Sequence, residues 1–320
     1  MREVVVETTE EGLKQAVLGW LPLKVVVEAC PLAEWASRVL EAAGCEVDII
    51  DPRAAKHLVS SKKKTDARDA RTLARLARSG WYTAVHRKSL GARTERSRLQ
   101  GRAALVRSKK ALGSAIRGLL KAHGVRLGKV SEGEFAQRVR ERVAAQTPEL
   151  AGTFELLLAS WRQAQEGAEQ LEKAITKATR DDEVCRRLRS VPGIGSLVST
   201  AFVSTLDKPA RFSRGEQVAD YLGLVPRVYQ SGEVDYRGRI TKEGDGLLRW
   251  HLVEAANVLL TKGPDSALKR WGLRLEQHKG GAKARVAVAR KLAILLWRIW
   301  RKGEVFKPWP NGQPPKTLAA

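Results

Sequence analysis

The chain has 320 residues, of which 43% are hydrophobic, and it carries a formal net charge of +23 at pH 7. This hydrophobic fraction excludes wholesale disorder, and the length allows two or three domains. No run of roughly eighteen apolar residues is present and the chain is charged from Arg2, so we expect a cytoplasmic protein with neither a membrane span nor a signal peptide. Three scattered cysteines exclude a disulfide framework and a zinc knuckle.

The positive charge is concentrated in one segment. Residues 53–129 contain 22 Lys or Arg and only 3 Asp or Glu, whereas residues 1–52 carry more acids than bases. Such an excess favours a polyanionic partner, and nucleic acid is the commonest one. The sequence therefore predicts a nucleic-acid surface along this segment.

The first part of the chain alternates strand and helix patterns. Short apolar runs predict strands, and apolar residues at helical spacing predict helices between them. Thr65 is a plausible N-cap for a helix that runs through Arg78. The predicted strands are 3–7, 23–27 and 46–50, and the predicted helices are 10–18 and 31–43. This alternation indicates an α/β domain with some parallel pairing.

Residues 90–180 are helical and strongly charged in pattern, with a thin apolar stripe broken between Gly124 and Gly133. This arrangement is typical of a long helical hairpin or coiled coil. We expect the stripe to contain Leu99, Leu105, Leu112, Ile116 and Leu119 before the break, and Leu150, Leu156, Leu157, Trp161, Leu171 and Ile175 after it.

A third, mostly helical unit begins near Val184. A tight turn at residues 191–195 joins two short helices, and a mixed region with short extended pieces follows through Gly244. Three further helices are predicted at 245–260, 265–278 and 282–301. The Pro-rich end of the chain predicts a disordered tail.

Three acids form the first candidate site. Glu28 ends an apolar strand, where an α/β sheet exposes side chains at its carboxyl edge. Asp66 and Asp69 are three residues apart, so a helix turns them to one face. Carboxylates in such positions can hold a hard divalent cation for phosphodiester cleavage, beside a phosphate bound by Lys62, Lys63 and Lys64. The alternative is structural: a first-turn helix residue, an aspartate paired with arginine, and a capping glutamate.

The turn Val191–Gly195, with the sequence VPGIG, forms the second candidate. A helix, a tight turn with Gly193 and Gly195, and another helix present backbone N–H groups to a phosphate. This arrangement is a helix-hairpin-helix motif, which binds the DNA backbone without sequence preference. An ordinary helix–helix connection remains the alternative.

Ser231 is the third candidate. It lies in a polar, Gly-containing segment flanked by Arg227, Arg237, Arg239 and Lys242, which could hold a phosphate that the serine attacks. The alternative is a solvated turn serine. Ser213 is the rival, but it fits a capping box through Glu216 and is interpreted as structural.

Taken together, these residues resemble one family. The segments VVVEAC, IIDP, KTDARDA, VPGIG, YLGLVPRVYQSGE and RGRITKEGDGLLRWHLVEAA, in this order, resemble the DEDD-type insertion-sequence transposases, also called bridge-RNA-guided recombinases. The pilin-gene invertases are related to them. The resemblance extends from about Glu3 to Leu260.

The resemblance implies a fold and a chemistry. It implies an N-terminal RuvC-like, ribonuclease-H-like α/β domain whose carboxylates bind a divalent metal, with Mg²⁺ expected. Glu28, Asp66 and Asp69 match the second, third and fourth acids of the motif, and Ser231 matches the nucleophilic serine. It further implies DNA as substrate, a structured guide RNA and a homo-oligomer.

The resemblance also fixes the expected domains. They are a RuvC-like domain at 1–88, a helical coiled-coil region at 89–182, a transposase domain with the helix-hairpin-helix and the serine at 183–305, and a disordered tail at 306–320. The family's first acid lies on a Gly-x-Asp strand upstream of the matched glutamate. Because the chain begins at Met1 just after the place of that strand, the sequence predicts an N-terminally short form.

Three hypotheses about function follow. The first is the RNA-guided transposase with a serine nucleophile. The second is a catalytically impaired nucleic-acid-binding protein derived from it, which the missing first acid favours. The third is a Holliday-junction-type nuclease that acts by metal alone and does not need Ser231.

Overall fold

The computed structural model describes residues 3–51, 65–231, 234–310 and 312, and the chain divides into two compact units, Met1–Lys88 and Ser89–Ala320. The first unit contains α1 (Glu10–Val17), β1 (Lys24–Glu28), α2 (Ala33–Ala42), β2 (Glu46–Ile50) and α3 (Asp66–Ser79). The second contains α4 (Leu90–Ala122), α5 (Phe135–Gln146), α6 (Ala151–Ala178), α7 (Glu183–Leu188), α8 (Ser196–Leu206), α9 (Gly215–Tyr221), β3 (Pro226–Ser231), β4 (Val234–Ile240), α10 (Gly246–Lys262), α11 (Ala267–Lys279) and α12 (Gly281–Lys302).

The N-terminal unit is built on a parallel strand pair. Strands β1 and β2 pair from Lys24 opposite Glu46 to Glu28 opposite Ile50. A small core gathers Val25 and Val27 of β1 with Val47 of β2 and apolar residues of α1 and α2. Alternation along a strand places Glu28 on the other face of β1 from Val27. The chain as a whole is mostly helical with a small sheet, which agrees with the prediction of an α/β N-terminal part followed by helical parts.

The predicted strand at residues 3–7 is wrong. This segment is irregular, and Val4, Val5 and Val6 are exposed. Within the described part of the chain, the parallel sheet consists of β1 and β2 alone, and the valines pair with neither strand. An apolar run predicts a strand only if a neighbour accepts its backbone hydrogen bonds. The segment is held instead by Glu3, which accepts two hydrogen bonds from the Arg71 guanidinium of α3.

A long helical hairpin begins the second unit. Helix α4 packs antiparallel along α6, with Gly101 against Leu171 near one end and Gly113 against Trp161 further along. The ion pair Arg102–Glu172 links the same two helices at 2.6 Å. Helix α5 closes the far end over a core that contains Phe135, Phe154 and Leu158.

The predicted stripe of the hairpin is correct except at two leucines. Leu119 and Leu156 are exposed, and their near neighbours Leu120 and Leu158 are fully buried instead. Each residue of an α-helix is rotated by about 100° from the next, so an error of one or two positions moves a side chain out of the seam.

The main core of the second unit lies among α7 to α10 and α12. Leu99 of α4 and Ile175 of α6 belong to this same core, which also contains Phe202, Leu252 and Leu292. The base of the hairpin is thus continuous with the C-terminal helices. The predicted separation at 182/183 does not divide compact units and stays a prediction, whereas the boundary at residue 88 coincides with the division of the chain.

Part of the predicted disordered tail is packed. Phe306 lies against the main core, and its backbone N–H donates to Ser190 Oγ at 2.9 Å. The carbonyl of Pro308 accepts a hydrogen bond from the backbone N–H of Ala267 at 3.0 Å. Aromatic side chains in this Pro-rich segment give it apolar surface to bury. The rest of the tail, 311 and 313–320, lies outside the described residues.

No helix in the described ranges is both long enough and apolar enough to cross a membrane.

Candidate functional site

Helix α3 places two of the three predicted acids on its first turn. Thr65 is the N-cap, and its hydroxyl accepts from the backbone N–H of Arg68 at 3.4 Å, as the sequence predicted. Asp66 is exposed and Asp69 is partly buried. Acidic side chains at a helix N-terminus are favoured by the helix dipole, so their position has a structural reason as well as a chemical one.

Glu28 and the two aspartates lie on elements that contact each other, because α3 packs against β1. Even so, no group of three or more His, Cys, Asp or Glu side chains within the described residues is arranged to hold a metal ion. The donor chemistry of Glu28, Asp66 and Asp69 suits Mg²⁺, since hard cations prefer oxygen ligands. Their arrangement in this structure does not amount to a metal site. Lys62, Lys63 and Lys64 lie outside the described residues.

The VPGIG turn joins α7 to α8, and its two glycines differ. Gly193 has φ +87°, and a Cβ added there would lie 2.5 Å from the carbonyl oxygen of Ala255 in α10. Gly193 is therefore required for close packing against α10. Gly195 is the N-cap of α8, is exposed, and has no atom within 4 Å of an added Cβ. The open N-terminus of α8 lies beside Arg189, whose Nη1 is 3.5 Å from Ser196 Oγ.

Ser231 is the last residue of β3 and pairs with Val234 at the tip of the antiparallel β3–β4 hairpin. The side chains of Ser231 and Arg237 lie outside the described part of the structure. Arg227 and Arg239 are described and exposed on the two strands. The short extended pieces predicted for this region are present as β3 and β4, while the orientation of the serine stays a prediction.

The root of this hairpin packs closely against the segment around Gly223 in the same unit. Lys242 follows β4 with φ +60°, and its N–H donates to the carbonyl of Gly223 at 3.2 Å. A Cβ on Gly223 would lie 2.3 Å from the carbonyl oxygen of Glu243, so backbone packs directly on backbone there. Lys242 thus has a structural role in the turn, beside the phosphate contact predicted for it.

A cleft of about 760 Å³ opens at the hairpin root, lined by residues including Arg227, Thr241, Glu243 and Arg290. The Thr241 hydroxyl and Arg290 Nε are buried there, and neither has a hydrogen-bond partner among the described residues. Buried polar groups without partners are rare in proteins. Arg290 is not predictable from the sequence as a residue of this cleft, because it lies on α12, far from the Ser231 segment along the chain.

The capping box predicted at Ser213 is wrong. Arg214 is the N-cap residue of α9, and it makes no side-chain cap hydrogen bond. The Ser213 hydroxyl and backbone N–H instead donate to Gln217 Oε1, at 3.0 and 2.8 Å. The helix begins one residue later than expected, so Gln217, and not Glu216, reaches back to the segment before the helix.

A second pocket, not predicted from the sequence, lies in the second unit. It has a volume of about 360 Å³ and lies between α4 and the start of α10, where Trp250 is 48% exposed. His251 beside it is buried, and burial together with the nearby Arg102 lowers its pKa to about 4. The imidazole is therefore neutral at neutral pH. Only the tertiary fold brings these residues of α10 next to the basic face of α4.

Comparison with known proteins identifies the family. Residues 6–124 match the model of a DEDD transposase domain of the IS110 type, and residues 185–270 match that of the transposase IS116/IS110/IS902 family. The chain is 28% identical over 289 residues to the transposase for insertion sequence element IS1111A of Coxiella burnetii, covering 88% of this chain and 79% of that protein.

Two further relatives support the same assignment. The "Probable family 20 transposase" of Pseudomonas aeruginosa is 30% identical over 293 residues, covering 90% of this chain and 86% of that protein. The pilin gene-inverting protein of Moraxella lacunata is 30% identical over 122 residues, covering 37% of each chain. Similarity to transposases along about nine tenths of the chain identifies this protein as a DNA transposase. The chain belongs to the IS116/IS110/IS902 family of DEDD-type insertion-sequence transposases.

Membership has direct consequences. The protein is a DNA transposase, its substrate is DNA, and its DEDD domain implies dependence on a divalent metal. The resemblance inferred from the sequence motifs is confirmed.

Proposed function

We propose that this transposase breaks and rejoins DNA through Ser231, which attacks a phosphodiester and becomes covalently attached to the DNA. The observation that carries the proposal is the position of Ser231 at the tip of the β3–β4 hairpin, whose two strands carry the exposed Arg227 and Arg239. A hairpin tip can reach a backbone phosphate, and guanidinium groups bind phosphate with paired hydrogen bonds.

The chemical step is a transesterification. The Ser231 oxygen forms a bond to phosphorus, the bond from phosphorus to one sugar oxygen breaks, and that oxygen takes up a proton as the serine loses its own. Arginines beside the phosphate would offset the charge that builds on its oxygens. The phosphoserine ester keeps the energy of the broken bond for the later joining step.

The finer features of the family stay part of this proposal. The N-terminal unit would be a RuvC-like, ribonuclease-H-like domain, and the VPGIG turn a helix-hairpin-helix that grips DNA. Glu28, Asp66 and Asp69 would supply carboxylates to the divalent metal, with Mg²⁺ the expected ion. Because they do not gather in this structure, we derive no step through the metal. A structured guide RNA and a homo-oligomer are likewise proposed on the resemblance alone.

The test is a denaturing-gel assay for protein covalently attached to a DNA substrate that carries an insertion-sequence end. The wild-type chain should give an adduct, and Ser231→Ala should give none while binding DNA with unchanged affinity. Ser213→Ala is the matched control, because Ser213 is a serine of the same unit that is exposed and lies outside the hairpin. An adduct that persists in Ser231→Ala and vanishes in Ser213→Ala would show that the wrong serine was chosen.

The same assay separates the two alternatives. Cleaved DNA without any adduct would identify a nuclease that acts by metal alone. DNA binding with neither cleavage nor adduct would identify a catalytically impaired binding protein. Each alternative therefore produces a pattern on the gel that the serine mechanism does not.

A further inference from the structure

The pocket between α4 and α10 combines an aromatic side chain with positive charge. Its walls come from Leu99–Lys110 of α4 and Gly246–His251 of α10. A volume of about 360 Å³ lies in the range of small-ligand pockets, roughly 300–1,000 Å³. The pocket lies wholly within the second unit, at the base of the helical hairpin.

Trp250 is much more exposed than its neighbours on α10, which is unusual for a tryptophan with a purely structural role. Leu248, His251 and Leu252 around it on α10 are buried, yet the Trp250 side chain is 48% exposed. Its ring lies against that of His251, with the ring centroids 4.9 Å apart. Trp250 therefore contacts His251 and still keeps about half of its surface exposed beside the pocket. A single exposed apolar side chain is common in proteins and by itself indicates nothing.

Positively charged side chains surround the Trp250 ring, and they distinguish it from an ordinary exposed apolar side chain. Arg102, Arg107 and Lys110 line the pocket from α4, and no acidic side chain is among the lining residues. Arg102 is held by Glu172 at 2.6 Å. Arg107 and Lys110 are exposed and form no ion pair with any residue in the described ranges. Two uncompensated cations therefore stand beside a partly exposed indole.

We propose that this pocket holds an unpaired nucleotide of the DNA substrate, with the base stacked on Trp250 and an adjoining phosphate bound by Arg107 and Lys110. Aromatic platforms in basic grooves are the common means of binding single strands. A base inside a duplex is covered on both faces by its neighbours, so only an unpaired or displaced base can stack on a side chain. The inference rests on the assignment of the chain as a DNA transposase and is independent of Ser231 and of the metal.

The test is equilibrium binding of the full-length protein to three fluorescent oligonucleotides of one sequence: single-stranded DNA, duplex DNA and single-stranded RNA. Loss of one stacked base costs about 1–3 kcal/mol. Trp250→Ala should therefore weaken single-stranded DNA binding by roughly 5- to 150-fold and leave duplex binding nearly unchanged. Trp250→Phe should retain most of the affinity, because a phenyl ring still stacks.

The charge contribution is tested by the double variant Arg107→Gln with Lys110→Gln, which should weaken single-strand binding even if Trp250→Ala fails to fold. Lys279→Gln, an exposed lysine at the end of α11 that does not line the pocket, is the control for loss of general positive charge. Equal losses on single strand and duplex in Trp250→Ala, or a loss on RNA alone, would overturn the proposal. Failure of the covalent-adduct assay would leave this result unaffected, so the two proposals fail separately.

Discussion

At the residue scale, Gly193 and Gly195 show how two glycines of one motif can serve different ends. Gly193 has a left-handed backbone conformation, and a Cβ added there would collide with the Ala255 carbonyl oxygen of α10. Gly195 has φ −94°, which any residue adopts, and open space around it. The first is therefore a packing residue, and the second leaves room for a ligand at the N-terminus of α8.

We expect Gly193→Ala to lower the melting temperature, since the left-handed backbone alone costs on the order of 1–3 kcal/mol for a residue with a side chain. Gly195→Val should leave the melting temperature nearly unchanged but weaken duplex DNA binding, because the side chain blocks close approach of a phosphate to the α8 N–H groups. Thermal unfolding and a binding titration on both variants check this. Unchanged affinity in Gly195→Val would mean that the turn is an ordinary helix connection.

At the scale of elements, the start of α10 is where the helical hairpin and the C-terminal helices are joined by charge. Asp245 is the N-cap of α10, accepting from the backbone N–H of Leu248 at 2.7 Å. The same carboxylate pairs with Arg96 of α4 at 2.6 Å, with side chains only 13% and 22% exposed. Arg96 also donates to Thr205 of α8 at 2.9 Å, so one ion pair links three helices.

Replacing Asp245 separates its two roles. Asp245→Asn keeps a capping oxygen but leaves the Arg96 charge without its ion-pair partner in a mostly buried place, which should cost roughly 2 kcal/mol in the free energy of unfolding. Asp245→Ala also removes the cap and should cost about 1 kcal/mol more. Urea unfolding at constant slope measures both. Asp265→Asn is the control, because its pair with Arg270 is exposed, and it should barely shift the midpoint. Equal shifts for both Asn variants would contradict the structural assignment.

At the scale of the whole molecule, the formal net charge of +23 is the property that most affects how the protein binds DNA. Ion pairs such as Arg102–Glu172 neutralise part of the charge of α4, but exposed cations such as Arg107 and Lys110 remain on the same helix. A chain with this excess binds DNA by displacing the counterions that surround the phosphates.

Binding to duplex DNA should therefore fall steeply with salt, by about a thousandfold or more between roughly 50 and 200 mM if six or more phosphates are neutralised. Replacing Lys62 and Lys63 with glutamine should reduce the logarithmic slope by about 0.9 for each phosphate that the variant no longer neutralises. The matched pair is Lys173 and Lys177, exposed lysines of α6 outside the basic segment. A slope that is flat, or equally changed by both pairs, would mean that the basic segment does not track the DNA backbone.

Much of the architecture was predictable because it follows from local rules. The Thr65 cap, the parallel strand pair, the helical hairpin and the three C-terminal helices all depend on periodicity and capping within a few residues. The prediction failed where contacts between distant parts of the chain decide the outcome: residues 3–7 do not join the β1–β2 sheet, and Phe306 packs against the main core. At Ser213 the error was one of helix start, which local sequence defines poorly.

The sequence by itself determined the family, the DNA substrate and the basic segment, because motif order and net charge do not depend on coordinates. Only the tertiary structure decided that Gly193 packs on Ala255, that Arg96 and Asp245 join α4 to α10, and that Trp250 faces the cations of α4. The physical reason is the separation along the chain over which each kind of interaction acts. Capping and periodicity act within a few residues, whereas burial, ion pairing and pocket formation depend on which distant segments the fold brings into contact.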